Sequence, residues 1–414
     1  MHSAIRRSLP VLLLAVLSGL VTLTGPALAA PKPPTPNVPP PPPACSNKHT
    51  PPPPVDTSEK PAPGQQSPGP LPVPEQPVGG ERMGDCAVVL PEGAPAPPQT
   101  TAVSWVLQDL DTGAVLAARD AHSRQRPASL IKTLLALAVV KELRPDQVIT
   151  PTAEDVSQEC TCVGLRTDGR YTVDQLLHGL LMHSGNDAAH ALATALGGVP
   201  AAVRKMNALA ASIGATDTRA ATPSGLDGPG MSTSAYDLSL IFNHAMKQPE
   251  FAKAVGTRQF EFPGAGDKPP FPIYNDNKLL SSYPGFLGGK TGFTDDARHT
   301  YVGGAAQNGK RLAVVLLRAE QHPTRVSDQA AQLLDYGFAL SKSNPKPVGQ
   351  LVSLGEGQDG GPGSAVNGGS TGSVKGAEDP FGVTGWIVTL VVTLIVIGGF
   401  IFGNRRKKAA AEEA

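Results

Sequence analysis

The chain has 414 residues, of which 43 are proline and 45 are glycine, and its 35 basic side chains balance 35 acidic ones. A formal net charge of zero excludes the strongly basic surface that nucleic-acid-binding proteins present. Length alone allows two or three domains, but long proline-rich and glycine-rich stretches reduce the part of the chain that can bury a core.

The N-terminal end reads as an export signal followed by a spacer. Residues 1–29 contain two arginines, an apolar run from Leu9 to Leu23, and the small-residue string Ala27-Leu-Ala29, which together predict a secretory signal peptide. Residues 30–98 are dominated by proline. A segment of this composition favours extended polyproline conformation and predicts a spacer without a core of its own.

The C-terminal end predicts a membrane anchor. Residues 344–384 form a polar Gly/Ser-rich linker, and the uncharged apolar residues 385–403 are long enough to cross a bilayer as a helix. The basic cluster Arg405-Arg-Lys-Lys408 follows, so residues 404–414 are predicted to stay in the cytoplasm. The central segment, residues 99–343, is then expected outside the cell membrane, tethered by one C-terminal span.

Four cysteines in an exported chain suggest disulfides, and four cysteines allow three pairings. Cys45 and Cys86 lie at either end of much of the proline-rich segment, and we favour a bond between them. A bond between Cys160 and Cys162 would need strained geometry. A zinc site is not expected at this pair, because no matching His/Cys pair has zinc-site spacing.

The central segment alternates between strand and helix patterns. Strand-like runs around a Gly-containing turn predict a hairpin over 103–120, and Asn308-Gly309 between apolar runs predicts a second hairpin. A run that is apolar nearly all round, from Leu130 to Val140, predicts a fully buried helix. Further helices are predicted at 172–182, with Thr172 as N-cap, and at 187–196, 201–213, 233–246 and 327–340. Strands at both ends around a helical middle indicate an α+β fold, an antiparallel sheet sandwiched by helices.

Ser129-Leu-Ile-Lys132 has the features of an activated nucleophile. The two side chains lie one helical turn apart and can meet on one face. A serine hydroxyl needs a neighbouring base, and a lysine can be that base when burial lowers its pKa. Pro127 places Ser129 at the helix start, where free N–H groups can stabilise an oxyanion. Taken alone, the motif also fits a capping serine beside a surface lysine.

Two further motifs follow in order. Ser184-Gly-Asn186 is a polar break between helices, where Ser184 could relay a proton to a leaving amine and Asn186 could pair with a substrate amide. Lys290-Thr-Gly292 begins a strand run, so Gly292 would let a peptide lie close, while Lys290 supplies charge for a carboxylate and Thr291 a hydroxyl. Either motif alone also fits an ordinary turn.

The remaining polar clusters do not predict a metal site. His178, His183 and His190 are spaced by five and seven residues rather than four, so we expect them at helix surfaces instead of on zinc. The pair Asp295-Asp296 is expected in a solvated turn. No metal and no cofactor is predicted.

The three motifs, in this order, resemble those of the penicillin-recognising serine enzymes. Further strings extend the resemblance to D-alanyl-D-alanine carboxypeptidases, low-molecular-mass penicillin-binding proteins of the serine peptidase S11 type, and the chain ends look similar to actinobacterial members. The resemblance covers roughly residues 100–340 and implies a β-lactamase/transpeptidase-like fold. The supporting strings are Arg126-Pro-Ala-Ser-Leu-Ile-Lys132, Leu181-Met-His-Ser-Gly-Asn-Asp-Ala-Ala189, Thr222-Pro-Ser-Gly-Leu-Asp227, Ser232-Thr-Ser-Ala-Tyr-Asp237, Asn275-Asp-Asn-Lys-Leu-Leu280 and Gly288-Gly-Lys-Thr-Gly-Phe-Thr294.

The resemblance implies removal of the terminal D-alanine from peptidoglycan stem peptides, with covalent inhibition by β-lactams. It implies Ser129 as the acyl-ester serine, Lys132 as the general base and Ser184 as the proton relay. The backbone N–H groups of Ser129 and Phe293 would form the oxyanion hole. The substrate-binding residues implied are Asn186, Lys290, Thr291, Gly292 and Phe293.

Two other classes of protein share some of these features. A class A-like β-lactamase would normally have an aspartate where Gly185 stands and an E-x-x-L-N loop before Lys290, and the chain has neither. A non-catalytic peptidoglycan-binding module would not need Ser129, Lys132 and Lys290 together. One departure from the family is that Arg298 follows Ala297 where an Ala-Gly pair is usual, so we expect a different loop shape there. The β-rich second domain of some members is not expected after residue 344.

Overall fold

A computed structural model describes residues 45–352 of the chain. The predicted signal peptide, the first part of the predicted spacer, most of the Gly/Ser-rich linker and the predicted membrane span all lie outside these residues. Among the residues that are described, no helix is both long and apolar enough to cross a membrane.

The fold has eleven described strands: β1 (Val88–Val89), β2 (Ser104–Asp109), β3 (Ala114–Arg119), β4 (Val148–Ile149), β5 (Tyr171–Thr172), β6 (Gln259–Phe262), β7 (Phe271–Tyr274), β8 (Phe286–Thr294), β9 (Arg298–Gln307), β10 (Lys310–Ala319) and β11 (Gly349–Gln350). Seven of them form a central antiparallel sheet with the order β1-β3-β2-β10-β9-β8, in which β11 also pairs with β3. Both predicted hairpins are confirmed, as β2–β3 and β9–β10. The remaining strands form two small two-stranded sheets, β4–β5 and β6–β7.

The helices match the predicted pattern, with additional short ones. The all-apolar helix is confirmed as α1 (Lys132–Glu142), which is buried along most of its length. Thr172 is confirmed as an N-cap, and it forms a reciprocal capping box with Gln175. The helices are α1 (Lys132–Glu142), α2 (Ala153–Val156), α3 (Val173–Met182), α4 (Asn186–Ala195), α5 (Val199–Ile213), α6 (Ala235–Met246), α7 (Pro249–Gly256), α8 (Leu279–Ser282) and α9 (Val326–Ser341).

The sheet separates two hydrophobic cores because successive side chains of a strand point to opposite faces. On β10, Val315 and Leu317 join the larger core with helices α1, α3, α4 and α6. Their neighbours Val314 and Leu316 join the smaller core with α9. The predicted α+β sandwich is therefore confirmed, and α1 lies at the centre of its larger layer.

The proline-rich residues 45–98, here called the strap, pack against the domain. The favoured Cys45–Cys86 disulfide is confirmed. The buried guanidinium of Arg124 donates to the carbonyl oxygens of His49, Leu71 and Pro72 at 2.6–2.7 Å. Proline-rich chain has few N–H donors but many free carbonyls, and a buried arginine can satisfy several of them at once.

A second anchor of the strap corrects the prediction for the acidic pair. Asp296 is buried, and its carboxylate accepts from the Val55 N–H and the Ser58 hydroxyl, so it does not lie in a solvated turn. Arg126, three residues before Ser129, forms a bidentate ion pair with Glu59 of the strap. Asp295 is exposed, as predicted.

The expectation of surface histidines is wrong for two of the three. The ring of His178 is buried and stacks on Phe260 with centroids 4.1 Å apart. His190 is buried as well, and its Nδ1 lies 2.6 Å from the Asp155 carboxylate. Packing against neighbouring elements explains both, since α3 and α4 each pack against several other elements and bury more than one side.

Candidate active site

The turn that carries Ser129 is clamped between two other segments. Ser129 lies in the 3₁₀ turn Ala128–Ile131, which runs directly into α1. Ala128 has a left-handed φ of 48°, and a Cβ at Gly225 would lie only 2.0 Å from the Ala128 carbonyl oxygen. On the other side, the Thr300 hydroxyl of β9 donates to the Pro127 carbonyl at 2.9 Å. The serine is therefore presented by a rigid turn.

Lys132 occupies the buried end of this turn and touches the serine. Its Nζ lies 2.8 Å from Ser129 Oγ, 2.8 Å from Asn186 Oδ1 and 2.6 Å from the Ser224 carbonyl oxygen, within hydrogen-bond distance of all three. Burial, and then the nearby charge of Lys290, hold the pKa of Lys132 well below its usual value, against the opposing effect of Asp187. A neutral amine hydrogen-bonded to a serine hydroxyl can take its proton.

The Ser184–Asn186 loop connects α3 to α4, as predicted, and delivers Asn186 to Lys132. Besides holding Lys132, the Asn186 side chain donates from Nδ2 to the Glu159 carbonyl at 2.6 Å. Its amide therefore takes part in the protein's own network, and the substrate contact predicted for Asn186 stays a prediction. Ser184 is buried with a left-handed φ of 60°, and it takes no part in the hydrogen bonds that join Ser129, Lys132 and Asn186.

Strand β8 brings the third motif beside Ser129. It ends the strand order of the main sheet, so within the described chain one of its sides is an edge. A Cβ at Gly292 would lie 2.5 Å from Thr300 Oγ1 and 2.9 Å from the Ser129 amide nitrogen. Only glycine allows this approach. Thr291 is partly buried, and Phe293 is 47% exposed.

Lys290 lies in β8 with its ammonium inside the protein. The side chain is 1% exposed, and Nζ donates to the Thr291 carbonyl at 2.6 Å. Burial lowers the pKa of Lys290 to about 8, against a smaller opposing effect of Asp276. While it is protonated, the Lys290 ammonium is a source of positive potential near Ser129, and this favours an anionic group on a ligand.

Ser129 opens into a cleft of about 340 Å³. Of the predicted site residues, Ser129, Asn186 and Phe293 line it. Several further lining residues were not predicted as site residues, although Ser224–Asp227 lie within one of the strings that carry the family resemblance. These are Asp56, Ser58, Glu159, Cys160, Thr161, Ser224, Gly225, Leu226, Asp227, Thr294 and Asp295.

The Cys160–Cys162 pair at the cleft wall is a disulfide, which corrects the expectation that this pairing needs strained geometry. The two Cα atoms lie 4.7 Å apart, within the ordinary span of a disulfide. All four cysteines of the chain are thus paired. The sequence reasoning erred because separation along the chain does not fix the backbone direction at either residue.

Arg298, which follows Ala297 where the family usually has a glycine, contacts the ring of Phe293. Arg298 has a left-handed φ of 57°, and its guanidinium carbon lies 5.7 Å from the Phe293 ring centroid. The same guanidinium pairs with Glu320 at 3.0 Å. A cation over an aromatic face is attractive, so Arg298 orients the exposed phenyl ring at the cleft mouth.

Carboxylates near the cleft do not provide an open metal site. Among the described residues, Glu59, Asp227 and Asp296 could approach a single ion. The Arg126 guanidinium already pairs with Glu59 and lies 4.0 Å from Asp296. Burial raises the pKa of Asp227 to about 6. Since the resident arginine already neutralises this cluster, it does not need a metal.

Comparison with known proteins agrees with this geometry. Residues 92–321 match the family of the D-alanyl-D-alanine carboxypeptidases, peptidase S11. The chain belongs to this family. It is 47% identical over 271 residues to D-alanyl-D-alanine carboxypeptidase DacB2 of Mycobacterium tuberculosis, covering 64% of this chain and 91% of that one. It is 30% identical over 250 residues to DacF of Bacillus subtilis, and the match spans only 64% of that longer relative.

Solved structures with similar folds come from the same kinds of enzyme. A crystal structure of D-alanyl-D-alanine carboxypeptidase from Mycobacterium tuberculosis matches with a TM-score of 0.60 and 44% identity, over 64% of this chain and all of that one. The Streptomyces K15 DD-transpeptidase matches with a TM-score of 0.57 and 29% identity, over 59% of this chain and 100% of that one. The penicillin-binding/transpeptidase-like fold is thereby confirmed.

Proposed function

We propose that this S11 family member is a serine D-Ala-D-Ala carboxypeptidase that removes the terminal D-alanine of peptidoglycan stem peptides. The observation that carries the proposal is the buried Lys132 amine 2.8 Å from Ser129 Oγ. A lysine kept neutral by burial, with a serine hydroxyl in reach, is a base and nucleophile pair. A non-catalytic binding module has no need of it.

In the first step, Ser129 Oγ attacks the carbonyl carbon of the penultimate D-alanine while Lys132 takes the hydroxyl proton. The oxyanion that forms is proposed to face the backbone N–H groups of Ser129 and Phe293, and the close approach of Gly292 to the Ser129 amide nitrogen supports this. The C–N bond then breaks, and the departing amine of D-alanine receives a proton. Ser184, next to Gly185 and Asn186, is proposed to relay that proton.

In the second step, water attacks the ester and releases the shortened peptide with Ser129 restored. A β-lactam forms the same ester with Ser129 by ring opening, which makes this class a covalent inhibitor. The bound peptide extends along the edge of β8, where backbone groups can pair with an added strand. Lys290 holds the terminal carboxylate, Thr291 and Gly292 line its path, and Phe293 covers the cleft mouth.

The activity is tested by incubating the protein with a peptide that ends in D-Ala-D-Ala and measuring free D-alanine. Release by the wild-type protein and none by Ser129→Ala is expected. The same pair should differ in covalent labelling by a fluorescent penicillin, while both unfold at similar denaturant concentration. Release or labelling that persists in Ser129→Ala would place the nucleophile elsewhere.

We also propose that the chain is exported and held on the outer side of the cell membrane by residues 385–403. The sequence supports this through the signal-like residues 1–29, the uncharged span and the basic residues that follow it. Every proposed site residue lies within residues 45–352. A chain ending at residue 352 should therefore leave the membrane fraction and keep its activity. A truncated chain that stays membrane-bound would contradict the anchor.

A further inference from the structure

The loop around the Cys160–Cys162 disulfide is the main support of Asn186. The Asn186 backbone N–H donates to the Thr161 carbonyl at 2.7 Å, and its side-chain Nδ2 donates to the Glu159 carbonyl at 2.6 Å. The two accepting carbonyls belong to the residues on either side of Cys160. At its other end, the Asn186 amide oxygen accepts from Lys132 Nζ at 2.8 Å. One chain of contacts thus runs from this loop to Lys132.

The second half of the loop is tied to the same helix start. The buried carboxylate of Asp187 accepts from the N–H groups of Val163, Gly164 and Leu165 at 2.8–3.0 Å. A Cβ at Gly185 would lie 3.2 Å from the Val163 side chain, so the loop packs closely on the motif. Side-chain contacts therefore fix the half that follows Cys162.

The first half of the loop is exposed and carries the disulfide. No helix or strand covers 157–170. Cys160 and Thr161 are exposed, and both line the cleft into which Ser129 opens. An exposed three-residue segment has few contacts to hold its carbonyls in one direction. The covalent link between Cys160 and Cys162 supplies that constraint.

We propose that the Cys160–Cys162 disulfide is a positioning element of the catalytic site. It directs the Glu159 and Thr161 carbonyls onto Asn186, and Asn186 then holds the Lys132 amine against Ser129. The proposal rests on the proposed role of Lys132 as general base. Because the bond faces the cleft, a dithiol can reduce it: the S–S bond gains two electrons and two protons, and the dithiol becomes a disulfide. After reduction, the Glu159 and Thr161 carbonyls are held less firmly against Asn186, and Ser129 is acylated more slowly.

The full-length protein and its Cys160→Ser, Cys162→Ser double variant are compared by the rate of acylation with a fluorescent penicillin. We expect the limiting rate constant of acylation to fall about tenfold, with the dissociation constant of the pre-covalent complex nearly unchanged. Resistance to urea should also change little, because closing so short a loop removes little entropy from the unfolded chain. An acylation rate constant equal to the wild-type value would overturn the proposal.

The route through Asn186 is tested by a double-mutant cycle. Asn186→Ala alone should slow acylation, and adding the two cysteine substitutions to it should cause no further loss. A second tenfold loss in the Asn186→Ala background would show that the disulfide acts on another part of the site, and would overturn the proposal. Failure of the proposed function shows separately, as near-normal labelling of Lys132→Ala.

The sensitivity to reductant has its own control within the chain. Dithiothreitol should slow acylation by the wild-type protein as much as the double serine substitution does. The double variant keeps the Cys45–Cys86 disulfide, and it should not respond to the reagent. If it slows by the same factor, the response belongs to Cys45–Cys86, and the redox part of the proposal is wrong.

Discussion

Replacing Lys290 by alanine should have two separable effects on catalysis. The first is loss of the proposed contact with the substrate's terminal carboxylate, a charge-assisted hydrogen bond of about 1.5–3 kcal/mol. This corresponds to about 10- to 150-fold in kcat/KM. The second effect acts through Lys132, because the charge of Lys290 helps to keep the pKa of that amine low. Removing the charge raises the pKa of Lys132 and leaves less free base at neutral pH.

The two effects are separated by two peptides, one ending in D-Ala-D-Ala and one with the same terminus amidated. Chromatography of the shortened product measures both. Any change at Lys132 affects both peptides alike. The kcat/KM of the peptide with a free carboxylate, divided by the kcat/KM of the amidated peptide, therefore reports the carboxylate contact alone. In the wild type this ratio should fall as pH rises through about 8, where Lys290 loses its proton. In Lys290→Ala the ratio should be lower by the full factor and independent of pH.

Lys290→Arg restores the positive charge and should recover part of the ratio, since a planar guanidinium does not place its charge where a compact ammonium does. The reasoning is refuted if Lys290→Ala loses the same factor on both peptides. In that case Lys290 does not bind the carboxylate, and its contribution is confined to the environment of Lys132.

Further predictions concern the approach of β8 and the strap. Gly292→Ala should slow acylation about 10- to 100-fold, because its Cβ would lie 2.9 Å from the nucleophile's amide nitrogen. Gly69→Ala, which meets open space, is the control, and equal rates in the two variants would count against the steric argument. Glu59→Gln leaves the buried Arg126 guanidinium without its bidentate partner and should lower the free energy of unfolding in urea by about 3 kcal/mol. Asp111→Asn, in an exposed ion pair, should cost less than about 1 kcal/mol, and similar losses for the two would show that the strap anchor is not structural.

Local patterns in the sequence were sufficient for the two main hairpins, for the longer helices and for the proposed reacting groups. Periodicity and turn chemistry predicted both hairpins of the main sheet and the buried helix α1, because those signals come from neighbours along the chain. The three motifs predicted Ser129, Lys132 and the strand that carries Lys290. Side-chain chemistry of this kind is visible in a sequence whatever the surrounding fold does.

The tertiary structure alone decided what surrounds those groups. The partners of Lys132 and Asn186 include the backbone carbonyls of Ser224 and Glu159. Every residue has such a carbonyl, so no residue type marks the ones in use. The contacts of the strap could not be predicted for a related reason. Proline-rich chain cannot form a core by itself, but Arg124 satisfies its carbonyls from more than 50 positions away, and a contact so distant along the chain leaves no local pattern.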